Sequence, residues 1–194
     1  MAIERDIDAL PGERWFPKES TIEEDMKALW GDWGVCSEVD TLRDVLMHRP
    51  GKEIENFDWQ AARFRAPIDP EAFRAEHDAL ADVYREHGAR VHYVEDIPEN
   101  RPNALFCRDL VFMTPEGAIV TRPATESRRG EERYAAKKLA ELGVPIIRTI
   151  CGGATFEGAM AMWIDRRTVV LASGVRTNRA GYEMVESELK RMGV

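Results

Sequence analysis

The chain has 194 residues, of which 44% are hydrophobic and 32% are charged, and its formal net charge is −8 at pH 7. These values are typical of one sizeable globular domain, and they argue against nucleic-acid binding because no basic run is interleaved with aromatic residues. No apolar stretch has the length of a membrane span and no signal-peptide core is visible, so we expect a cytoplasmic protein that does not bind a membrane. The three cysteines lack metal-ligand spacing, so we expect free thiols and no bound metal or cofactor.

The first predicted elements in chain order are a short helix and a strand. Thr21 and Glu24 have the spacing of a capping box, which predicts that a helix begins near them. Residues 41–48 are typical of a strand, which ends at the turn residues 49–51. Residues 52–69 have no clean periodicity, and we interpret them as a loop. We assign residues 1–32 to an N-terminal extension and residues 33–194 to one domain.

One unit then repeats along the rest of the chain. Helices with one apolar face are predicted at 73–87 and 182–192. Short strands are predicted at 89–94 and 144–148, and hairpins at 110–121 and 160–171. Gly88, Gly143 and Gly193 each stand where a left-handed residue ends a helix. The unit of strand, hairpin and helix has a period of roughly 50 residues, which is typical of stacked or propeller-like arrays. Because another strand would follow residue 193, we expect the chain to be a fragment; a small natural domain capped by its last helix is the alternative.

An acidic residue stands just before each hairpin. Because the repeat delivers Asp109 and Glu157 from the same place in consecutive units, we expect both carboxylates to face one centre, where they would suit a planar guanidinium group. Arg128 and Arg176 each follow one of these acids by 19 residues, so the repeat also places the arginines equivalently. Two arginines at one end of a site and two acids at the other would suit an α-amino acid with a cationic tail.

Simpler interpretations remain open. Each acid could be an ordinary turn residue, Arg128 could be a solvated charge near a helix start, and Arg176 could only lead into a helix that Asn178 caps. We interpret Cys107 and Cys151 as small buried hydrophobic residues. No group of His, Cys and Asp residues has the spacing of metal ligands.

The order and spacing of these motifs resemble the guanidino-group-modifying superfamily, which includes arginine deiminases, dimethylarginine dimethylaminohydrolases and amidinotransferases. The likeness extends from about Trp33 onward and is carried by segments 33–51, 102–109, 155–158 and 175–178. It implies an α/β fold, a five-bladed pseudo-symmetric α/β-propeller of the pentein type, built from repeats of strand, hairpin and helix. Residues 33–194 would supply about half of that fold.

The resemblance implies a role for six residues. Asp109 and Glu157 match the catalytic carboxylates that hold the substrate guanidinium. Three further residues match positions that bind the substrate α-carboxylate: Asn103, Arg128 and Arg176. Phe106 matches a residue that forms a wall beside the substrate guanidinium. The family reaction uses a cysteine nucleophile and a proton-transferring histidine. Both come from the second half of the propeller, and no cysteine of this chain matches the nucleophile.

One position departs from the family. The segment Glu157-Gly158-Ala159-Met160 has an apolar residue where the family commonly has an acid, which favours a substituted guanidine over arginine itself. We predict a guanidino-group hydrolase acting on arginine or a substituted arginine-like amino acid, completed by a missing C-terminal half and inactive as this chain alone. An amidinotransferase and a non-catalytic binding or structural relative are the alternatives. The expected partner is a small guanidino substrate, and homo-oligomerisation stays open.

Overall fold

The computed structural model describes residues 18–194, so residues 1–17 of the predicted N-terminal extension lie outside the described residues. The helices are α1 (Ile22–Asp25, continued by a π-helical turn over Met26–Trp30), α2 (Pro70–Glu86), α3 (Glu132–Glu141) and α4 (Arg179–Arg191). The strands are β1 (Asp44–Met47), β2 (Arg90–Tyr93), β3 (Val111–Thr114), β4 (Gly117–Val120), β5 (Ile146–Thr149), β6 (Ala161–Asp165) and β7 (Thr168–Leu171). The predicted α/β class is therefore confirmed.

The strands form three small sheets, with the orders β1-β2, β3-β4-β5 and β6-β7. The β3-β4 and β6-β7 pairs are the two antiparallel hairpins, whereas β1-β2 and β4-β5 are parallel pairs, each joined by a helix. The predicted repeat of strand, hairpin and helix is thus visible, and the middle sheet contains a hairpin and the parallel strand that follows it. Within residues 18–194 the sheets do not close into a ring.

Local sequence signals account for the helix ends. Thr21 and Glu24 form the predicted capping box. The Asn178 side chain accepts a hydrogen bond from the Gly181 backbone and caps α4, as predicted. Gly88 follows α2 with φ 85°, a left-handed conformation that glycine adopts without strain. Met26, which belongs to the predicted extension, is 4% exposed, so part of that extension packs against the domain.

The core of the described residues contains two hydrophobic clusters. In the first, the Phe112 and Trp163 rings stack with centroids 5.8 Å apart, and Val185 of α4 packs on the same cluster. In the second, Leu139 of α3 packs against β3, β4 and the residues that precede β3. Helices α3 and α4 therefore each bury their apolar face against the hairpin before them, which holds the ends of both hairpins in place.

The two hairpins are tied together at the ends that carry the acids. Arg122 and Phe156 exchange backbone hydrogen bonds of 3.1 Å in an isolated antiparallel bridge. A Cβ at Gly158 would lie 2.5 Å from the Arg108 carbonyl oxygen and 2.4 Å from that of Val111, so only glycine permits this approach. The turns that contain Asp109 and Gly158 are consequently packed against each other.

Residues 52–69 are mainly loop, as predicted, apart from a 3-10 turn over Lys52–Ile54. The loop is nevertheless ordered by its own contacts, because the Phe57 and Phe64 rings meet edge to face with centroids 5.2 Å apart. In residues 18–194 we find no helix that combines the length and the apolar character needed to cross a membrane.

Candidate functional site

All six residues that the sequence singled out border one cavity of about 850 Å³. It lies where the turns before the two hairpins meet, and the turn that ends at Arg63 forms another wall. Asp109 and Glu157 therefore face a common space, as the repeat predicts. Met160 and Phe106 contribute apolar surface to the same cavity.

Asp109 ends the 3-10 turn Cys107–Asp109 at the foot of the first hairpin. Its carbonyl oxygen accepts a hydrogen bond from the Thr121 hydroxyl at 2.8 Å, which fixes the backbone. Its carboxylate Oδ2 lies 2.6 Å from Nη1 of Arg128, and its side chain is 21% exposed. Oδ1 accepts no hydrogen bond from the part of the chain that the structure describes. Asp109 thus has one carboxylate oxygen available to a ligand.

Glu157 is the corresponding acid of the second unit and is more deeply placed, with 3% exposure. Its Oε1 accepts a hydrogen bond from the Ala124 backbone at 3.1 Å. Both of its oxygens lie near Nη1 of Arg176, at 3.2 and 3.0 Å. A buried carboxylate needs such partners, because burial without them is costly.

Arg128 is almost fully enclosed, with 4% exposure. Its Nε donates to Glu131 at 2.9 Å, its Nη1 donates to Asp109, and its Nη2 donates to the carbonyl oxygens of Asn103 at 3.1 Å and Phe106 at 3.4 Å. Its guanidinium carbon lies 5.8 Å from the Phe106 ring centre, within cation–π range. The interpretation of Arg128 as a solvated surface charge is therefore wrong.

The predicted separation of arginines and acids at opposite ends of the site is also wrong. Each arginine is instead ion-paired with the acid that precedes it by 19 residues. The reason is that the chain leaves the acid, makes the hairpin and returns to the same end of the sheet before the next helix begins. Spacing alone showed that the two units are equivalent, but it did not show how far apart the partners lie within one unit.

The two arginines differ in how many donors they have committed. The Arg176 side chain is 43% exposed and uses only Nη1, leaving Nε and Nη2 without a partner among residues 18–194. Arg128 uses all three of its nitrogens. Of these two, Arg176 is therefore the one with donors free for an anionic group on a ligand.

Asn103 and Phe106 lie in the segment before the first acid. The Asn103 side-chain nitrogen donates to the carbonyl oxygen of Ala62 at 3.1 Å, so it holds the loop. The Phe106 ring is 46% exposed at the cavity, a position compatible with the wall that the resemblance implies. The predicted roles of both residues toward a substrate stay predictions.

Sequence reasoning missed two charged residues at this site, Arg63 and Glu131. Glu131 is 0% exposed, and its Oε1 has no hydrogen-bond partner among the described atoms. Burial raises its pKa to about 7 against the opposing effect of Arg128. The three-residue spacing between Arg128 and Glu131 at a helix start could have indicated the pair, whereas no sequence signal marked Arg63 in its aperiodic loop.

The cysteines supply no reactive group to the cavity. Cys107 is buried, and burial raises the pKa of its thiol to about 12, so it is protonated at neutral pH, in agreement with its interpretation as a small buried residue. Cys151 is exposed in the turn after β5, which corrects the prediction that it is buried. Within residues 18–194 no three His, Cys, Asp or Glu side chains lie close enough together to hold a metal ion.

Comparison with known proteins assigns the chain to a family. A family model described as N,N dimethylarginine dimethylhydrolase, eukaryotic, matches residues 52–192. The N(G),N(G)-dimethylarginine dimethylaminohydrolase of Streptomyces coelicolor is 27% identical over 129 residues, which are 66% of this chain and 49% of that protein. The arginine deiminase of Limosilactobacillus reuteri is 40% identical over 67 residues, 32% of this chain and 16% of that protein. The chain thus spans half or less of the length of these relatives.

Solved structures show the same fold. A mutant dimethylarginine dimethylaminohydrolase from Pseudomonas aeruginosa, complexed with citrulline, matches 79% of this chain and 59% of its own with a TM-score of 0.67 and 21% identity. The amidinotransferase SxtG from Microseira wollei matches 82% of this chain and 60% of its own with a TM-score of 0.61 and 15% identity. Because the family model covers most of the chain, the protein belongs to the dimethylarginine dimethylaminohydrolase family, within the superfamily of guanidino-group-modifying enzymes.

Proposed function

We propose that the whole protein hydrolyses the guanidino group of arginine or of an N-substituted arginine. In this proposal residues 33–194 are the domain portion that binds the substrate, and Asp109 and Glu157 hold its guanidinium. The observation that carries the proposal is the meeting of these two carboxylates at one cavity, each already paired with an arginine. Each of the two acids thus already pairs with a guanidinium group, that of an arginine side chain.

The carboxylates at the cavity support a cationic ligand. Asp109 and Glu157 border the cavity, and each pairs there with one arginine, Arg128 or Arg176. The available Oδ1 of Asp109 can accept a hydrogen bond from an incoming N–H group. Charge-assisted hydrogen bonds of this kind are roughly twice as strong as neutral ones.

The apolar lining supports a substituted guanidine. Met160 stands at the second acid motif, is partly buried against the first hydrophobic cluster and borders the cavity. A thioether side chain cannot pair with a guanidinium N–H as a carboxylate would, but it can pack against N-methyl groups. We therefore place methylated arginine before arginine itself as the substrate.

The nucleophile and the proton-transferring histidine belong, in this proposal, to a further C-terminal segment that completes a pentein propeller. Neither Cys36, Cys107 nor Cys151 borders the cavity. The thiolate would attack the guanidinium carbon, and the amine would leave with a proton from the histidine. Water would then release the ureido product from the enzyme.

An amidinotransferase would use the same carboxylate pairs and pass the amidino group to an amine instead of water. A non-catalytic relative would bind the ligand and release no product. Incubating the full-length protein with dimethylarginine distinguishes these outcomes, because hydrolysis yields a ureido amino acid and an alkylamine. Amidino transfer yields a new guanidine only when an amine acceptor is present.

Ligand binding by the 194-residue chain tests the site itself. We expect isothermal titration calorimetry to detect dimethylarginine binding and Asp109→Asn to weaken it about 10- to 100-fold, since a charged hydrogen bond contributes about 1.5–3 kcal/mol. Asp82→Asn is the matched control, because Asp82 also pairs with an arginine, 2.7 Å away, but on the exposed surface of α2. Thermal melts establish that both variants are folded. A folded Asp109→Asn variant with unchanged affinity would remove Asp109 from the proposed site.

A further inference from the structure

We propose that His48 and Glu53 form a buried imidazolium–carboxylate latch, which holds the loop 52–69 in place and releases it when the His48 ring loses a proton. Both side chains are buried, with 6% and 3% exposure. The loop that they hold contributes residues 61–63 to the border of the cavity. The latch therefore makes the position of one cavity wall depend on pH.

The His48 ring faces a hydrogen-bond acceptor at each of its two nitrogens. Its Nδ1 lies 3.0 Å from the carbonyl oxygen of Val94, and its Nε2 lies 3.0 Å from Oε1 of Glu53. A carbonyl oxygen can only accept, so Nδ1 carries a hydrogen. In a neutral imidazole Nε2 would then be bare, and its lone pair would face the carboxylate. Both contacts are favourable only when both nitrogens carry a hydrogen and the ring is positively charged.

The alternative, in which Glu53 carries the second proton, is disfavoured by the other partner of its carboxylate. The same Oε1 accepts from the backbone nitrogen of Gly51 at 2.6 Å, a short hydrogen bond of the kind that ionised acceptors form. Burial raises the pKa of Glu53, but the hydrogen bonds from His48 and Gly51 outweigh burial, so the pKa is lowered. Two donors that converge on one oxygen are typical of an ionised carboxylate.

The latch joins three parts of the chain. His48 directly follows β1, Val94 directly follows β2, and Glu53 lies in the 3-10 turn at the start of the loop. Loss of the Nε2 hydrogen would leave the buried carboxylate facing a lone pair, which is costly for a buried charge. The start of the loop would then lose its attachment to the ends of the two parallel strands.

The other charged and titratable side chains near the latch come from α2, from β2 and from the residue after His48. They are His77, Asp78 and Arg74 of α2, Tyr93 of β2, and Arg49. The pKa of His77 is lowered chiefly by burial, which outweighs the opposing charge of Asp78, so that ring is neutral at neutral pH. Arginine and aspartate keep their charges between about pH 6 and about pH 9. Of these groups, the His48 ring is the one whose charge changes as the pH rises.

Nitrogen NMR of the 194-residue chain with labelled histidine tests the protonation of the ring, since the Nε2 shift changes when this atom loses its hydrogen. We expect both nitrogens of His48 to carry a hydrogen at about pH 6 and Nε2 to lose it as the pH rises. Glu53→Gln removes the charge and nearly keeps the shape, so Nε2 should lose its hydrogen at a pH about one unit lower than in the unaltered chain. Equal midpoints in the two proteins, or a bare Nε2 at about pH 6, would overturn the proposal.

Hydrogen exchange at about pH 6 and about pH 9 tests the release of the loop, with protection factors that correct for the intrinsic rise of exchange rate with pH. The backbone amides of Ala62 and Phe64 donate within the loop, and we expect their protection to fall about tenfold at the higher pH while that of β4 changes little. Glu53→Gln should lose most of this dependence. Glu55→Gln is the matched control and should keep it, because Glu55 lies in the same loop but pairs with Arg74, 2.6 Å away, which does not titrate in this range.

Loop protection that is equal at the two pH values would overturn the latch even if the ring titrates as expected. Thermal melts of each variant at both pH values establish that the chain is folded. The consequence for ligands rests on the proposed function: dimethylarginine should bind more weakly at the higher pH, and the loss should be smaller in Glu53→Gln. If dimethylarginine binds at neither pH, the proposed function fails, whereas the NMR and exchange experiments still decide on the latch because they need no ligand.

Discussion

Replacing Glu131 with glutamine should remove one source of pH dependence from the stability of the folded chain. Glu131 is 0% exposed at the start of α3. Burial raises its pKa from 4.5 to about 7; Arg128 and Arg101 oppose this rise, and Glu132 adds to it. The glutamine side chain is nearly isosteric, keeps an oxygen that can accept from Arg128 and does not titrate.

The sign of the effect follows from proton binding. Below pH 4.5 the carboxyl is protonated in both the folded and the unfolded chain. Between pH 4.5 and about 7 the unfolded chain releases this proton while the folded chain keeps it, so the free energy of unfolding falls as pH rises. Above that window both states are ionised and the loss is complete. One pKa unit corresponds to about 1.4 kcal/mol, so the rise in pKa is worth about 3 kcal/mol.

The assay is urea unfolding of the unaltered chain and Glu131→Gln at half-unit steps from pH 4.5 to 7.5. The variant should gain about 3 kcal/mol relative to the unaltered chain across this range. Acids with lowered pKa values, such as Asp44 and Glu53, are present in both proteins and cancel in the difference. Glu76→Gln is the control, since Glu76 is exposed on α2. A Glu131→Gln difference that stays constant with pH would refute the reasoning.

Two further perturbations test the packing. Gly181→Ala should destabilise the chain by at least about 2 kcal/mol in urea unfolding, although alanine favours helices, because a Cβ there would lie 2.0 Å from the Thr155 carbonyl oxygen. Gly174→Ala, with nothing within 4 Å, should be nearly neutral, and equal losses would contradict the contact. Ellman's reagent should modify exposed Cys151 in the folded chain and buried Cys107 only on unfolding. Rapid modification of Cys107 under native conditions would contradict its burial.

The equivalent placement of an acid and an arginine in each unit could be predicted from the sequence, because it depends only on the number of residues between them. The 19-residue interval from Asp109 to Arg128 recurs from Glu157 to Arg176, and both intervals end in an ion pair. The hairpins and helices were likewise visible, since alternating and helical apolar patterns survive in a half-buried chain.

Contacts between elements could not be predicted in the same way. Residues 52–69 have no period, so nothing in the sequence indicated that Asn103 would anchor their turn or that Arg63 would adopt a left-handed backbone. The burial of Glu131 was also hidden, because its environment is formed by chain segments far apart in sequence. A charged residue at a helix start is usually solvated, and only the tertiary structure shows that this one is enclosed.

The ion pairs Asp109–Arg128 and Glu157–Arg176 occupy equivalent positions in the two units, but they differ in burial and in their other hydrogen-bond partners. Arg128 lies between two acids, Asp109 and Glu131, and its removal would leave the wholly buried Glu131 without the donor that its Oε2 accepts from. Arg176 is half-exposed, and Glu157 would still keep its hydrogen bond from the backbone if Arg176 moved. Under the proposed function, a ligand guanidinium would therefore displace Arg176 at modest cost, whereas at Asp109 it would share the carboxylate with Arg128. The first unit would then provide a rigid half of the proposed site and the second an adjustable half.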